Sequence, residues 1–333
     1  MRSMPAKTAA SFLTLVAFLL LASCQPKEEP GAPGPLLELT LAVHGAPYSG
    51  LIAVADEKGF FKEAGLKAKI NLYASGLDSL TAMTRGEAQV ATVADIAFAI
   101  KMFEDPSLRT IASIGTSLGS QVVARKDRNI HELSDLRGKR IGYSPLTSSD
   151  YYLHAFLVSN SLSREDVVAV PIPPAKQAEA LIAGEIDATS AFDVYAYDAK
   201  KKLGENAAAW DIQGNVDFQW LLATKESSTR SPEALKRLLR ALIMAEEFTL
   251  NHVDEAKSII ARKWEVDPEY VRYTWDQARL FVSLNQSVIT ALQSYAKWKI
   301  YREGKGDAPP DVVSFVYTTA LEELAPSLVT IPR

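Results

Sequence analysis

Cysteine and histidine are scarce in this sequence, whose 333 residues include one cysteine, Cys24, and four scattered histidines. A single cysteine cannot form a disulfide bond within its own chain. The histidines show no metal-binding spacing with one another or with Cys24, so the sequence predicts no metal site. We expect no cofactor either.

Dense positive charge and long apolar runs are also missing. The formal net charge is −4, and the absence of any block of Lys and Arg argues against a nucleic-acid partner. One apolar run, Phe12–Ala22, is too short to span a bilayer comfortably, and no other run approaches that length. The composition, 47% hydrophobic and 23% charged, is typical of a globular protein.

The N-terminal region has the pattern of an export signal. A basic start is followed by an apolar run, and Leu-Ala-Ser-Cys at 21–24 resembles a bacterial lipobox. This resemblance implies that residues 1–23 are a signal peptide and that Cys24 is lipidated; an ordinary signal peptide with a chance cysteine is the alternative. Residues 24–35, rich in Pro and Gly, are predicted to be a flexible tether. We therefore expect an exported protein, lipid-anchored at the outer face of the cell membrane or in the periplasm.

Short β-like segments alternate with helical patterns over the first two thirds of the chain. Leu37–Val43 and Leu66–Tyr73 alternate apolar and polar residues, as half-buried strands do. Helical segments follow each of them, the first starting at Gly50 with a break at Gly59. Their order implies parallel strands joined by helical crossovers. From Pro232 onward the period is almost entirely helical. The sequence therefore predicts an α/β fold with a helical C-terminal tail.

Residues 82–95 and 180–193 resemble each other. Each segment has a helix end, a Gly-Glu pair, a short strand and an aspartate nine residues after the glycine, namely Asp95 or Asp193. Glycine is common just after a helix, which is the simpler explanation, but the shared spacing and aspartate favour a repeat. Two similar α/β lobes would account for it.

Ligands of open α/β sheets bind beyond the carboxyl ends of the strands. We therefore predict a hinged cleft between lobe 1, residues 36–120 and 225–333, and lobe 2, residues 121–224. Strand ends and helix starts supply the predicted ligand-binding residues: His44, Tyr48, Ser49, Asp78, Asp95, Ser117, Thr147, Ser148, Ser149, Tyr151, Phe192 and Asp193. None is Lys or Arg, which favours a zwitterion or a nitrogen heterocycle, although helix N-termini and hydroxyls can also bind anions.

Four segments together resemble the solute-binding components of bacterial ABC importers: Gly50–Leu66, Gly76–Ala97, Leu136–Leu157 and Ala178–Tyr195. The similarity is to the nitrate-, sulfonate- and taurine-binding branch, which is related to binders of thiamine-pyrimidine precursors. It implies a two-lobed, type 2 periplasmic-binding-protein-like fold. It also implies a monomer that captures a small polar organic solute and delivers it to an ABC permease.

In that family the ligand contacts come from the loop after the first strand and from the start of a lobe 2 helix, here 44–49 and 147–149. The chain departs from the family pattern in both parts of the predicted pocket. Leu-Thr-Ser at 146–148 replaces a Gly-Ser or Gly-Thr, and no proline follows Phe192-Asp193. The identity of the ligand is therefore not carried over.

An α/β serine hydrolase is the competing interpretation, because residues 115–119 match G-x-S-x-G with Ser117 as nucleophile. That motif requires a helix directly after the serine, whereas residues 120–127 have the alternation of a strand. A fungal pyrimidine-forming synthase shares the fold, but its cysteine-rich motif is missing. Asp95 and Asp193 could supply acid–base chemistry, although an aspartate that opens a helix is more often an N-cap. The sequence therefore favours a binding protein over an enzyme.

Overall fold

The computed structural model describes residues 35–117, 120–211, 218–304 and 308–331. The predicted signal peptide, the lipidation site Cys24 and nearly all of the predicted tether lie outside these ranges. Within them the chain forms two mixed β-sheets, one of six strands and one of five, each flanked by helices. We call the parts built on these sheets lobe 1 and lobe 2.

Residues 36–117 form the first part of lobe 1, where β1 pairs in parallel with β2 and β3 as the crossover pattern predicts. The helix predicted from Gly50 breaks at Gly59, whose φ of +74° suits glycine. The elements are β1 (Leu37–His44), α1 (Gly50–Glu57), α2 (Phe60–Glu63), β2 (Leu66–Tyr73), α3 (Gly76–Thr84), β3 (Val90–Ala94), α4 (Asp95–Lys101) and β4 (Leu108–Ser117).

Residues 120–211 form lobe 2, whose sheet has the strand order β7-β6-β8-β5-β9. Strand β6 is parallel to β7 and β8, and β5 is antiparallel to β8 and β9. The elements are β5 (Ser120–Arg125), β6 (Arg140–Tyr143), α5 (Ser148–Ser159), β7 (Val168–Pro171), α6 (Pro174–Ala183), β8 (Ala188–Phe192), α7 (Asp193–Leu203) and β9 (Ala207–Asp211).

Residues from 218 onward complete lobe 1, giving the order β11-β4-β10-β3-β1-β2. None of the helices in the described ranges combines the length and apolar character that a bilayer span requires. The elements are β10 (Phe218–Lys225), α8 (Glu226–Thr229), α9 (Glu233–Asn251), α10 (Val253–Lys263), α11 (Pro268–Trp275), β11 (Ala278–Ser283), α12 (Gln286–Glu303) and α13 (Thr319–Leu324).

Two features of this last part differ from the sequence-based expectation. Strand β10 pairs with β3 and β4, so the lobe 1 sheet takes up the chain at Phe218 rather than at residue 225. The C-terminal tail is also not purely helical, because β11 pairs antiparallel with β4 at the edge of the sheet. Strand β11 has only six residues and lies between two helices, so its alternation of apolar and polar residues is too short to be recognised in the sequence.

The lobe 1 sheet is covered on both faces. Successive residues of β10 alternate, so that Leu222 packs in a cluster with α1, α9 and α10, and Leu221 packs in a second cluster with α4 and α12. Helix α9 contributes Leu235, Leu238, Leu239 and Leu242, which recur at helical spacing on its buried face. This packing on both faces holds the strands of the sheet in place. The two lobes meet at the ends of these strands.

The repeated segments adopt the same local structure. In each, a helix ends, a glycine with positive φ follows, a buried strand crosses the sheet and an aspartate begins the next helix. The glycines are Gly86, with φ of +84°, and Gly184, with φ of +78°. Asp95 begins α4 and Asp193 begins α7, which places the two aspartates at corresponding strand ends of the two lobes.

Candidate functional site

A cavity of about 340 Å³ lies between the lobes, at the carboxyl ends of β1, β2 and β3 and of β6, β7 and β8. Lobe 1 lines it with His44, the segment 74–78, Ala94, Ile96 and Ala97 and the start of β10. Lobe 2 lines it with Thr147, Ser148, the segment 173–175, Phe192 and Tyr195. The predicted cleft thus has the location that open α/β sheets favour.

Helix N-termini surround this cavity. The first residues of α3, α5 and α6 belong to its lining, and α4 and α7 begin beside it. Backbone N–H groups at a helix start lack intrahelical partners and carry partial positive charge, so they favour an acceptor or an anion. Among the described lining residues there is no Lys or Arg, and Asp78 is the carboxylate. Its Oδ2 accepts a hydrogen bond from the Ser75 hydroxyl at 2.7 Å.

His44 presents a hydrogen-bond acceptor to the cavity. Its Nδ1 lies 3.3 Å from the carbonyl oxygen of Tyr73, and because a carbonyl can only accept, this bond requires the proton on Nδ1. Burial lowers the pKa of His44 below its usual 6.5, so the ring is neutral at pH 7 and Nε2 is free of a proton. A ligand group opposite His44 would therefore be a donor.

Trp220 forms a wall of the cavity, and two of the predicted ligand-binding residues hold it from behind. Its Nε1 donates a 2.8 Å hydrogen bond to the hydroxyl of Ser49. The ring of Tyr48 lies 5.8 Å from the Trp220 ring, and both Tyr48 and Ser49 are fully buried. These two side chains lie outside the lining of the cavity and support it.

Asp95 is buried at the start of α4 and also lies outside the cavity lining. Its two oxygens accept 2.8 Å hydrogen bonds from the backbone N–H groups of Ile96 and Gln219. Burial raises the pKa of Asp95 to about 7, although these bonds and the nearby Tyr295 hydroxyl act in the opposite direction. The carboxylate thus ties α4 to β10, the strand that brings the chain back from lobe 2.

The remaining predicted residues differ in whether they reach the cavity. Thr147, Ser148 and Phe192 line the cavity, as His44 and Asp78 do. Ser149 is buried and donates to the carbonyl of Ser190, and Tyr151 packs against Tyr295 and Trp298 of α12. Asp193 starts α7 beside the cavity, and its side chain is outside the described part of the structure. That the lining residues bind a ligand remains a prediction.

Several lining residues were absent from the sequence-based prediction. Segment 173–175 contributes two prolines and an alanine, whose side chains carry no chemistry that a motif search would find. Phe218 and Trp220 lie on β10. Nearly all residues of this strand are buried, so its apolar sequence does not indicate which of them face the cavity. Of the aromatic lining residues, Phe192 was predicted from the sequence, whereas Phe218 and Trp220 are contributed by a strand that the prediction did not place at the cavity.

The structure does not favour the hydrolase alternative. Ser117 is 2% exposed at the end of β4, and the next described residue, Ser120, begins strand β5. A nucleophile elbow places its serine between a strand and a helix, with the hydroxyl exposed. Here strand is followed by strand, which carries the chain into lobe 2.

Two α/β lobes, joined by two crossings and enclosing a cavity at their strand ends, define the periplasmic-binding-protein-like class of fold. Residues 46–256 match the family described as NMT1/THI5 like, and the chain belongs to that family. A Brucella abortus relative, named "Putative binding protein BAB2_1146", is 25% identical over 232 residues, which are 67% of this chain and 70% of the relative.

Solved structures share the fold at low sequence identity. The alkanesulfonate-binding protein SsuA from Xanthomonas axonopodis pv. citri, bound to MOPS, has a TM-score of 0.72 and 18% identity, covering 85% of this chain and 99% of SsuA. The desulfurization enzyme DSZB has a TM-score of 0.63 and 18% identity, covering 86% of this chain and 99% of the enzyme. The fold thus hosts binding proteins and an enzyme.

Proposed function

We propose that this protein is an extracytoplasmic solute-binding protein that captures a small polar organic solute between its lobes and delivers it to an ABC permease. The observation that carries the proposal is the cavity, which is built jointly by the two lobes and surrounded by helix N-termini. Binding without catalysis is part of the proposal, since the described lining has neither a cysteine nor a pair of carboxylates. One chain acts as a monomer.

The lining supports a ligand with two different polar ends and an apolar body. His44 Nε2 and the Asp78 carboxylate accept hydrogen bonds, which suits an amine or a ring N–H. The backbone N–H groups of Ser148, at the start of α5, and of Ala175, in the first turn of α6, are donors that suit a sulfonate, a carboxylate or a carbonyl. Between them, Phe192 and Trp220 provide aromatic surface for a ring or a short carbon chain. A zwitterion, such as an aminosulfonate, or a nitrogen heterocycle meets all three conditions.

A thermal-shift screen of the full chain tests this proposal. The compounds are taurine, alkanesulfonates, MOPS, nitrate, pyrimidines and thiamine precursors. A ligand at 100 times its dissociation constant adds about 2.7 kcal/mol to the free energy of unfolding. For a protein of this size that corresponds to a rise in melting temperature of about 5 °C. We expect such a shift from at least one zwitterion or heterocycle.

Matched histidine variants locate the binding. His44→Ala removes the acceptor in the cavity and is expected to abolish most of the shift. His131→Ala, at an exposed position of lobe 2, is the control and should retain it. A shift that survives both His44→Ala and Phe192→Ala would place the ligand elsewhere, and no shift with any compound would contradict the proposed ligand classes.

Lipid anchoring at Cys24 is a separate part of the proposal, supported by the position of this single cysteine directly after the apolar run. Cys24→Ser is expected to move the protein from the membrane fraction to the soluble fraction, because the thioether-linked acyl chains cannot form. Ser23→Ala, which keeps a small residue before the cysteine, should stay on the membrane. Cell fractionation with immunoblotting distinguishes the two, and membrane retention of Cys24→Ser would rule out the anchor.

A further inference from the structure

The lobes also meet outside the cavity, where α7 of lobe 2 packs against α11 of lobe 1. The ring of Tyr197 lies 5.5 Å from that of Tyr270 and 5.4 Å from that of Tyr273. Lys200 Nζ donates a 2.5 Å hydrogen bond to the Tyr273 hydroxyl, which in turn donates to Gln121 of β5 at 3.3 Å. We call this set the α7–α11 contact.

Ion pairs extend the α7–α11 contact by one turn. Lys201 Nζ lies 2.8 Å from an oxygen of Asp267 and 3.4 Å from an oxygen of Glu269. Asp267 caps α11 by accepting the N–H of Glu269, so its carboxylate is held in place from the lobe 1 side. The Lys201 side chain is 53% exposed, which makes this part of the contact weak and salt-sensitive.

Helix α7 connects this contact directly to the cavity. It begins at Asp193, immediately after the lining residue Phe192, and its first turn carries Tyr195, which also lines the cavity. The rings of Phe192 and Tyr195 lie 5.5 Å apart. Because Tyr195 lies on the same helix as Tyr197, Lys200 and Lys201, a rotation of α7 that withdraws Tyr195 from lobe 1 also displaces these three residues from α11.

We propose that the α7–α11 contact is a closure latch: it sets the fraction of ligand-free protein whose lobes are already closed, and so scales the affinity for the solute. The apparent dissociation constant of a ligand rises in inverse proportion to the competent fraction. The effect on affinity rests on the proposed function, whereas the effect on closure does not. The latch consists of the exposed Lys201 ion pairs and of the partly exposed rings of Tyr197 and Tyr273, which pack beside the buried Tyr270, and its exposed part is weak enough to open again when the solute must leave.

Lys201 provides the sharpest test because the chain offers a matched control beside it. Lys202 carries the same charge and lies on the same helix. Within the described residues it makes no ion pair with lobe 1. Lys201→Met removes both ion pairs and is expected to lower the ratio of closed to open protein about twofold to fivefold. Lys202→Met should leave that ratio unchanged.

The ratio is measured without ligand by double electron–electron resonance on the full chain. Cys24→Ser leaves no native cysteine, so nitroxides can be placed by Arg85→Cys in lobe 1 and Glu179→Cys in lobe 2, both exposed positions. Lys201→Met should shift the distance distribution toward longer separations, and Lys202→Met should reproduce the parent distribution. Identical distributions for all three proteins would overturn the latch.

Charge reversal provides a second test. Lys201→Glu should open the cleft further than Lys201→Met, because it adds repulsion from Asp267 and Glu269. Combining Lys201→Glu with Glu269→Lys, which leaves the Asp267 cap of α11 intact, restores an opposite-charge pair and should recover part of the closed population. Failure of the double variant to recover it would show that Lys201 acts through something other than this contact. Because no solute is present, these outcomes are independent of the thermal-shift screen.

Discussion

Replacing Asp95 with asparagine is expected to make the protein about 4 kcal/mol more stable, relative to the parent chain, at pH 8 than at pH 4. Burial raises the pKa of Asp95 from an ordinary 3.8 to about 7, so the folded state holds a proton that the unfolded state has lost. The stability that this proton contributes is fully present below pH 3.8 and is lost as the pH rises through about 7. Asparagine does not titrate. Urea unfolding of both proteins at pH 4, 6 and 8 measures the difference.

Ser79→Ala, at a buried position whose side chain does not titrate between pH 4 and pH 8, is the control for this experiment and should show no comparable change. The result also decides between two opposing effects at Asp95. Its bonds from the Ile96 and Gln219 N–H groups favour the ionised form, and burial favours the protonated one. A stability difference that stays constant from pH 4 to pH 8 would mean that the two N–H bonds prevail.

Trp220→Ala is expected to lower the free energy of unfolding by about 3–5 kcal/mol, the usual cost of truncating a buried aromatic side chain. The indole is 4% exposed and contacts the rings of His44, Tyr48 and Phe218. It also forms a wall of the cavity, so any ligand found in the screen should bind more weakly. Chemical denaturation gives the stability change, and calorimetric titration gives the change in affinity.

The hydrogen bond to Ser49 can be separated from the volume of the ring. Trp220→Phe and Ser49→Ala each leave one buried polar group unpaired, at a cost of about 1–3 kcal/mol. The double variant removes both partners and should therefore cost less than the sum of the single changes. Additive costs would indicate that the hydrogen bond to Ser49 does not hold the Trp220 ring in place. Ser49 would then have no role in supporting this wall of the cavity.

Local sequence patterns were sufficient to predict most elements of this fold. Leu66–Tyr73 alternates so cleanly that the predicted and observed strands coincide. The helix break predicted at Gly59 coincides with a φ of +74°, a backbone conformation that glycine tolerates best. Strand β11 was missed because pairing with β4, and not its own sequence, makes it a strand. Local sequence patterns therefore predicted the elements that local interactions determine, and missed the strand that depends on pairing with a distant segment.

The site was less predictable, since long-range partners decide which side chains face the cavity. Ser49 and Ser148 are both hydroxyl residues at helix starts after a strand. Ser148 lines the cavity, whereas Ser49 is covered by Trp220, a residue 171 positions away in the chain. Asp95 was likewise selected for its place at a strand end, but the backbone N–H of Gln219 holds it away from the lining. Sequence position identified the edge of each sheet at which the cavity lies, and not the orientation of the individual side chains.

The antiparallel pairing of β4 with β10 has a consequence for how this protein can change over evolution. The last residue of β4, Ser117, is the register partner of the first residue of β10, Phe218. Lobe 2 therefore enters and leaves lobe 1 at a single point, as an insertion between two neighbouring strands whose ends are already adjacent. Its half of the cavity, which includes Thr147, Ser148 and Phe192, can be exchanged as one block without altering the register of the host sheet.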